Sequence, residues 1–206
     1  MDINSKKKLS NGVEIPVLGL GVYLSPEGEV TANSVRWAVE AGYRHIDAAA
    51  VYGNEKSVGE GIRTYGVPRD QLFITSKLWN EDMRKGRSRE AFEETLQRLG
   101  TDYLDLYLIH WPVDEHVQAW KVLEELYEAG KVRAIGVSNY HKQHIEALEC
   151  TAKIMPMINQ FEMHPYMSQR ALTDLCKKYG MLYEAYSPLG GQNGPVQSNL
   201  IINEIA

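Results

Sequence analysis

Cysteine is scarce in this chain. Only Cys150 and Cys176 occur in 206 residues, they lack the close paired spacing of a metal site, and they could form at most one bridge. A disulfide scaffold and a cysteine-ligated zinc fold are thereby excluded. No metal site is expected, the compartment reads as reducing, and both thiols are expected to be buried apolar groups. Long apolar runs are also missing: nothing approaches the roughly 18 consecutive apolar residues of a membrane-spanning helix. The opening MDINSKKKLS has basic residues with no apolar run behind them. A cytoplasmic protein with no membrane partner is the expectation. A basic surplus is absent too, since 22 Lys and Arg stand against 27 Asp and Glu, for a net charge of -5 and a pI near 5.7. Such a surface has little with which to neutralise phosphates, so no nucleic-acid partner is expected and a small molecule is the better candidate.

What the sequence does have is alternation. Short apolar runs rich in β-branched and aromatic residues recur at 16–21, 43–47, 72–77, 103–110, 132–138, 157–161 and 181–187. Each has the length and composition of a strand buried on both faces. Between them, Phe92, Leu96 and Leu99 share a helical stripe, as do Trp120, Leu123 and Tyr127, and Leu172, Leu175, Cys176 and Tyr179. Gly130 and Gly180 follow two of these segments, where a left-handed residue ends a helix most easily. The pattern predicts repeated βα units in a single domain over residues 1–206. Upstream, residues 7–9 and 13–15 flank Asn11-Gly12, which predicts a tight hairpin with two positive φ angles.

No linker or low-complexity tract precedes the glycine, asparagine and proline cluster GGQNGPVQSN that begins at Gly190. Residues 200–206 read as the start of a further helix. A closed (β/α)8 barrel typically takes about 250 residues. The expected fold is therefore α/β, a (β/α)8 TIM-type barrel lacking its eighth strand in this sequence, with an N-terminal β-hairpin. The expectation is that the chain continues beyond Ala206, because nothing in it substitutes for a closing strand. The open edge offers a route to self-association.

In such barrels chemistry gathers at the carboxyl ends of the strands. Asp47 closes the second run, Tyr52 follows five residues later, Lys77 closes the third and His110 the fourth. Singly, each has an ordinary explanation: a helix cap, an edge lysine with its head in solvent, a structural histidine. A lysine ending a buried strand nevertheless needs a carboxylate, and four polar groups at one end of a barrel suggest a shared site.

The segments GLGVY, GYRHIDAAAVYGNE, FITSKLW, DLYLIHWP, GKVRAIGVSN, NQFEMHP and AYSPLG together resemble, in order, the signatures of the aldo-keto reductases. The resemblance spans essentially the whole chain. It implies a nicotinamide cofactor, NADPH with NADH not excluded, and a small carbonyl substrate, with hydride transfer to the carbonyl carbon. It implies catalytic roles for Asp47, Tyr52, Lys77 and His110, with Tyr52 the general acid, its phenol eased by the Lys77 cation, and His110 a second hydrogen-bond donor to the carbonyl oxygen. It implies cofactor contacts from Gly21, Val22, Asp47, Ser138, Asn139, Gln160, Tyr186, Ser187, Leu189 and Gly190. Tyr23, Trp79, His110 and Trp111 would wall the substrate pocket.

The passage from His110 almost directly into helix is similar to the compact microbial members, such as diketogluconate or methylglyoxal reductases, and suggests an open pocket tolerant of many aldehydes. The family's eighth strand and its 2'-phosphate segment have no counterpart, so the sequence does not choose between NADPH and NADH. A monomer is implied for the complete family fold. Two alternatives stay open: a non-catalytic short form that binds the cofactor or a partner, and an unrelated barrel enzyme in which Lys77 forms a Schiff base.

Overall fold

The computed structural model of the chain describes residues 2–191, 194, 196 and 198–205. It begins with the hairpin of β1 (Lys6–Lys8) and β2 (Glu14–Pro16), paired antiparallel with Lys7 opposite Ile15. Its turn is wider than Asn11-Gly12 suggests. Gly12 has φ +87° while Asn11 does not enter the left-handed region; the turn closes from Gly12 N to Leu9 O, and Asn11 Oδ1 accepts from Val13 N at 3.1 Å. The Asn11 side chain also donates to Arg133 O at 2.9 Å, which ties the hairpin to the barrel and leaves Asn11 no reason to adopt a left-handed backbone.

Seven strands follow in a single parallel sheet: β3 (Gly19–Gly21), β4 (His45–Asp47), β5 (Phe73–Leu78), β6 (Leu106–Ile109), β7 (Ile135–Ser138), β8 (Ile158–Glu162) and β9 (Leu182–Tyr186). Their spatial order is their chain order, so the sheet curls into a nearly closed barrel whose end strands are β3 and β9. The seven expected strands are all present, each with its ends within three residues of the expected run. Strands β5, β6 and β7 are buried along their whole length, as expected for a parallel sheet covered on its outer face by helices. At Gly136 an added Cβ would lie 2.5 Å from Ile158 Cγ2 and 2.7 Å from Ile158 O, so β7 and β8 approach more closely than a larger residue permits.

The outer helices are α1 (Glu29–Glu40), α2 (Glu55–Tyr65), α3 (Asn80–Arg84), α4 (Ser88–Leu99), α5 (His116–Glu128), α6 (Lys142–Glu149), α7 (Arg170–Lys178) and α8 (Leu200–Ile205). Helix α4 illustrates why they form. Phe92, Leu96 and Leu99 recur at helical spacing and are buried on the barrel, each burial contributing about 1.5–3 kcal/mol. Gly100 at φ +65° then ends the helix. Gly130 and Gly180 do the same after α5 and α7, at φ +70° and +67°. The expected stripes are buried or half-buried as read. Cys176 is buried, but Cys150, expected inside, is exposed: it follows α6 on the face away from the buried Ile145 and Leu148. In the expected GGQNGPVQSN loop, residues 192, 193, 195 and 197 lie outside the described residues, as does Ala206 of the expected last helix, which runs as α8 from Leu200. None of the described helices is long and apolar enough to cross a membrane.

Candidate active site

Parallel strands deliver their carboxyl ends to one mouth, and three of the four suspected catalytic groups arrive directly on them. Asp47 ends β4, Lys77 lies near the end of β5, and His110 follows β6 immediately. Tyr52 is carried by a single 3-10 turn, Ala50–Tyr52, stopped by Gly53 at φ +70°. The structure brings all four together. Lys77 is 1% exposed, pairs with Asp47 and also donates to Ala48 O at 2.9 Å. Its Nζ lies 5.2 Å from the Tyr52 ring centroid, and the Tyr52 and His110 rings meet edge to face at 5.6 Å.

The electrostatics follow from burial and from the one ammonium. Burial works to strip Lys77 of its proton, yet Asp47, Tyr52 and the Asp47 hydrogen bond outweigh it and raise its pKa. Burial pushes the Tyr52 phenol up; Lys77 pulls it down and Asp47 pushes it up again, so the net shift is upward. The easing expected from Lys77 is therefore present but outweighed. His110 is lowered to about 3, first by burial and then by repulsion from Lys77, against a smaller opposing effect of Asp47. It is a neutral imidazole at ordinary pH, and its Nδ1 is buried with no hydrogen-bond partner. The mouth therefore holds a protonated phenol and a neutral ring beside a fixed cation.

The residues expected to hold the cofactor ring the same mouth. Asn139, with φ +63°, donates from Nδ2 to His110 O at 3.1 Å and to Ser138 Oγ at 3.0 Å, and its Oδ1 accepts from Tyr186 Oη at 2.9 Å. Ser138 Oγ donates to Gln160 O at 3.0 Å, and Gln160 Nε2 donates to Asp47 Oδ2 at 2.9 Å. Ser138, Asn139 and Gln160 thus gather donors and acceptors suited to an amide, joined by hydrogen bonds to the Asp47 carboxylate. The Tyr186 ring is half-buried beside them. Ser187 at φ +48°, then Gly190 and Gly191 at +82° and +71°, form an approachable backbone after β9, with Leu189 exposed. Val22 is buried, its N donating to Asp47 O at 3.1 Å, and an added Cβ at the neighbouring Gly21 would touch nothing within 4 Å. These features fit a nicotinamide and its diphosphate.

Tyr23 and Trp111 are exposed, while Trp79 packs on His110 at 5.3 Å and Tyr23 on Tyr52 at 5.1 Å, so the aromatics stand around the two suspected donors. After Trp111 the chain enters α5 at His116, leaving the mouth uncovered by any long insertion. One group escaped the sequence reading. His45, Thr75 and Glu184 form a polar layer inside the barrel, with His45 Nε2 2.9 Å from Thr75 Oγ1 and His45 Nδ1 3.9 Å from Glu184 Oε1. The available signal was polar residues inside otherwise strand-like runs, HID and LYEAY. Ligand-type atoms of His45, Asp47 and Glu184 lie within 4.8 Å of one another, and the cation they face is the Lys77 ammonium.

Comparison with known proteins agrees with this geometry. A family model described as the aldo/keto reductase family matches residues 19–196. The chain is 50% identical over 200 residues to a glyoxal reductase of Bacillus subtilis, covering 97% of this chain and 72% of that protein. It is also 50% identical over 200 residues to a 9,11-endoperoxide prostaglandin H2 reductase of Trypanosoma cruzi, covering 96% and 71%. Among solved structures, a Bombyx mori aldo-keto reductase in complex with NADP superimposes with a TM-score of 0.85 at 37% identity, covering 94% of this chain and 71% of that one.

Proposed function

The chain belongs to the aldo/keto reductase family, and from that premise we propose that it reduces small aldehydes and ketones to alcohols at the expense of NADPH, with Tyr52 as general acid. Bound NADPH supplies the hydride. The observation that carries the reading is the convergence of Asp47, Tyr52, Lys77 and His110 at one barrel mouth. Tyr52 holds its proton at ordinary pH, as a phenol does and as burial reinforces, and passes it to the carbonyl oxygen as negative charge develops there. Lys77, kept charged by Asp47, stabilises the phenolate left behind. Neutral His110 orients the carbonyl by hydrogen bonding without competing for the proton. Ser138, Asn139 and Gln160 hold the carboxamide, Tyr186 stacks on the ring, and Gly21, Val22, Ser187, Leu189 and Gly190 line its path. Tyr23, Trp79 and Trp111 wall an open substrate cleft. NADPH is favoured over NADH because an NADP complex stands among the similar structures. A cytoplasmic location fits this chemistry.

The test is NADPH oxidation with methylglyoxal by the wild type and the Tyr52→Phe variant. Turnover that disappears in the variant supports the reading. Cofactor binding without turnover in either protein would replace it with a binding role, and borohydride trapping of substrate on Lys77 would replace it with Schiff-base chemistry.

A further inference from the structure

Asn54 stands where a helix cap belongs and does something else. It occupies the position before α2 and is of a type that readily caps a helix, yet its side chain makes no capping bond. Fully buried, it reaches instead to the segment between β3 and α1, where its Nδ2 donates to Val22 O at 2.8 Å and to Ser25 O at 2.9 Å. Those two carbonyls flank a tight turn, closed by Ser25 N donating to Val22 O at 3.1 Å, with Tyr23 and Leu24 at its exposed tip. Asn54 Oδ1 is left buried with no hydrogen-bond partner. Both amide hydrogens thus serve the turn, while the cap and a buried acceptor go unsatisfied.

We propose that Asn54 is a positioning residue that clamps the Tyr23 turn against the Tyr52 turn and so sets the preference of the cleft for aromatic over small aldehydes. This rests on the reading of Tyr52 as the acid and of Tyr23 as a wall of the cleft. Asn54 follows Tyr52 by two residues, through Gly53 at φ +70°. One side chain therefore links the loop that carries the acid to the loop that carries the wall, and the Tyr23 and Tyr52 rings lie 5.1 Å apart.

The turn needs such a clamp. Leu24 has φ +62°, a left-handed backbone that a bulky side chain disfavours and that persists only where its surroundings hold it. Farther along, the segment is fastened to α1 and α2: Ser25 Oγ lies 2.5 Å from Thr31 Oγ1, Thr31 Oγ1 donates to Pro26 O at 2.6 Å, and Gly28 N donates to Ser57 Oγ at 2.7 Å. None of these three bonds reaches the tip. Tyr23 is 67% exposed, so packing alone does not fix its ring, and a ring left to move offers no steady face to an aromatic substrate. A purely structural Asn54 predicts something else: its loss would lower stability and leave the preference among aldehydes as it was.

The experiment compares the wild type, Asn54→Ser, Tyr23→Ala and the double variant. Serine can cap α2, but its hydroxyl is too short to reach the turn, which separates the clamp from helix stability. In Asn54→Ser, hydrogen exchange at the Ser25 amide is expected to quicken roughly tenfold or more, while exchange at the Tyr107 amide in β6 stays as it was. KM for 4-nitrobenzaldehyde is expected to rise roughly tenfold, the worth of one aromatic ring contact, with a smaller change in kcat and a smaller rise in KM for methylglyoxal. Because Asn54 acts through Tyr23, the same substitution in the Tyr23→Ala background should leave the preference between the two aldehydes where Tyr23→Ala puts it. Asn54→Asp keeps the shape, presents only acceptors to the two carbonyls, and serves if the serine variant does not fold. Unchanged Ser25 exchange in a folded variant overturns the proposal, as does an Asn54 effect on preference that persists without Tyr23. Turnover that depends on Tyr52 with an unchanged preference in Asn54→Ser defeats this inference alone. If no form turns over, the reductase reading fails and the aldehyde preference with it, while Ser25 exchange still decides the clamp.

Discussion

The two ends of the barrel bury charge in opposite ways. At the amino end, Asp105 is fully buried just before β6 and fully partnered: Arg69 at 2.7 Å, Arg133 at 2.6 Å and the Ile74 amide at 2.9 Å. Arg69 in turn donates to Thr101, Leu72 O and Tyr103 O and lies 4.0 Å from the Tyr103 ring centroid. At the carboxyl end, Lys77 is equally buried but shares its layer with two acids, and His110 Nδ1 and Glu184 Oε2 are left without partners. Complete pairing turns buried charge into stability. Incomplete pairing leaves burial free to shift proton affinities, upward at Tyr52 and downward at His110. A depression of about 980 Å³ also lies at the amino end beneath the hairpin, lined by Lys6, Lys8, Arg44, Asp70 and Arg133 among others.

The comparison breaks most readily at Tyr52. Tyr52→Phe is expected to lower kcat by about 10²–10⁴-fold with an unchanged melting temperature, since only the transferable proton is lost; steady-state kinetics and calorimetry check both halves. Asp105→Asn is expected to do the reverse. It should lower stability by about 3–5 kcal/mol, because two arginines lose a buried partner, while leaving kcat at low temperature unchanged. Denaturant unfolding measures that loss, and a variant that kept its stability but lost activity would erase the distinction between the ends. His110→Leu should lower kcat by roughly 10²-fold through loss of one donor to the carbonyl oxygen.

The same histidine makes a pH prediction. Its folded pKa of about 3 lies below the usual 6.5, so between those values the unfolded chain takes up a proton that the folded chain refuses. Stability therefore falls as pH drops from 6.5 toward 3, and His110→Gln should flatten that part of the melting curve by several degrees. The smallest effect concerns the thiols. Exposed Cys150 should react with a thiol reagent in the folded protein, whereas Cys176, buried with its pKa raised to about 11, should react only on unfolding. Cys150→Ser should change stability by less than about 0.5 kcal/mol.

Much of this was legible along the chain. Strands and helix stripes are local, since an apolar run of five residues or a repeat at 3.6 depends on near neighbours alone. Asp47, Lys77 and His110 were legible for a related reason: a polar residue closing an apolar run marks a strand end, and parallel strands send those ends to one place. Errors came from one distant partner and from one helix face. Asn11 was drawn out of the left-handed turn by Arg133 O, and Cys150 fell on the outer side of α6.

By itself, then, the sequence determined the βα repeat, the hairpin, the four groups at the mouth and the resemblance to the aldo-keto reductases, because each rests on residue type and short spacing. Tertiary structure alone decided the proton affinities. Whether Tyr52 is raised or lowered depends on how far burial and Asp47 outweigh Lys77, and whether Glu184 belongs to the same layer depends on the register that sets it opposite Gln160. Burial and charge separation are properties of packed strands, and no reading of a chain one residue at a time contains them.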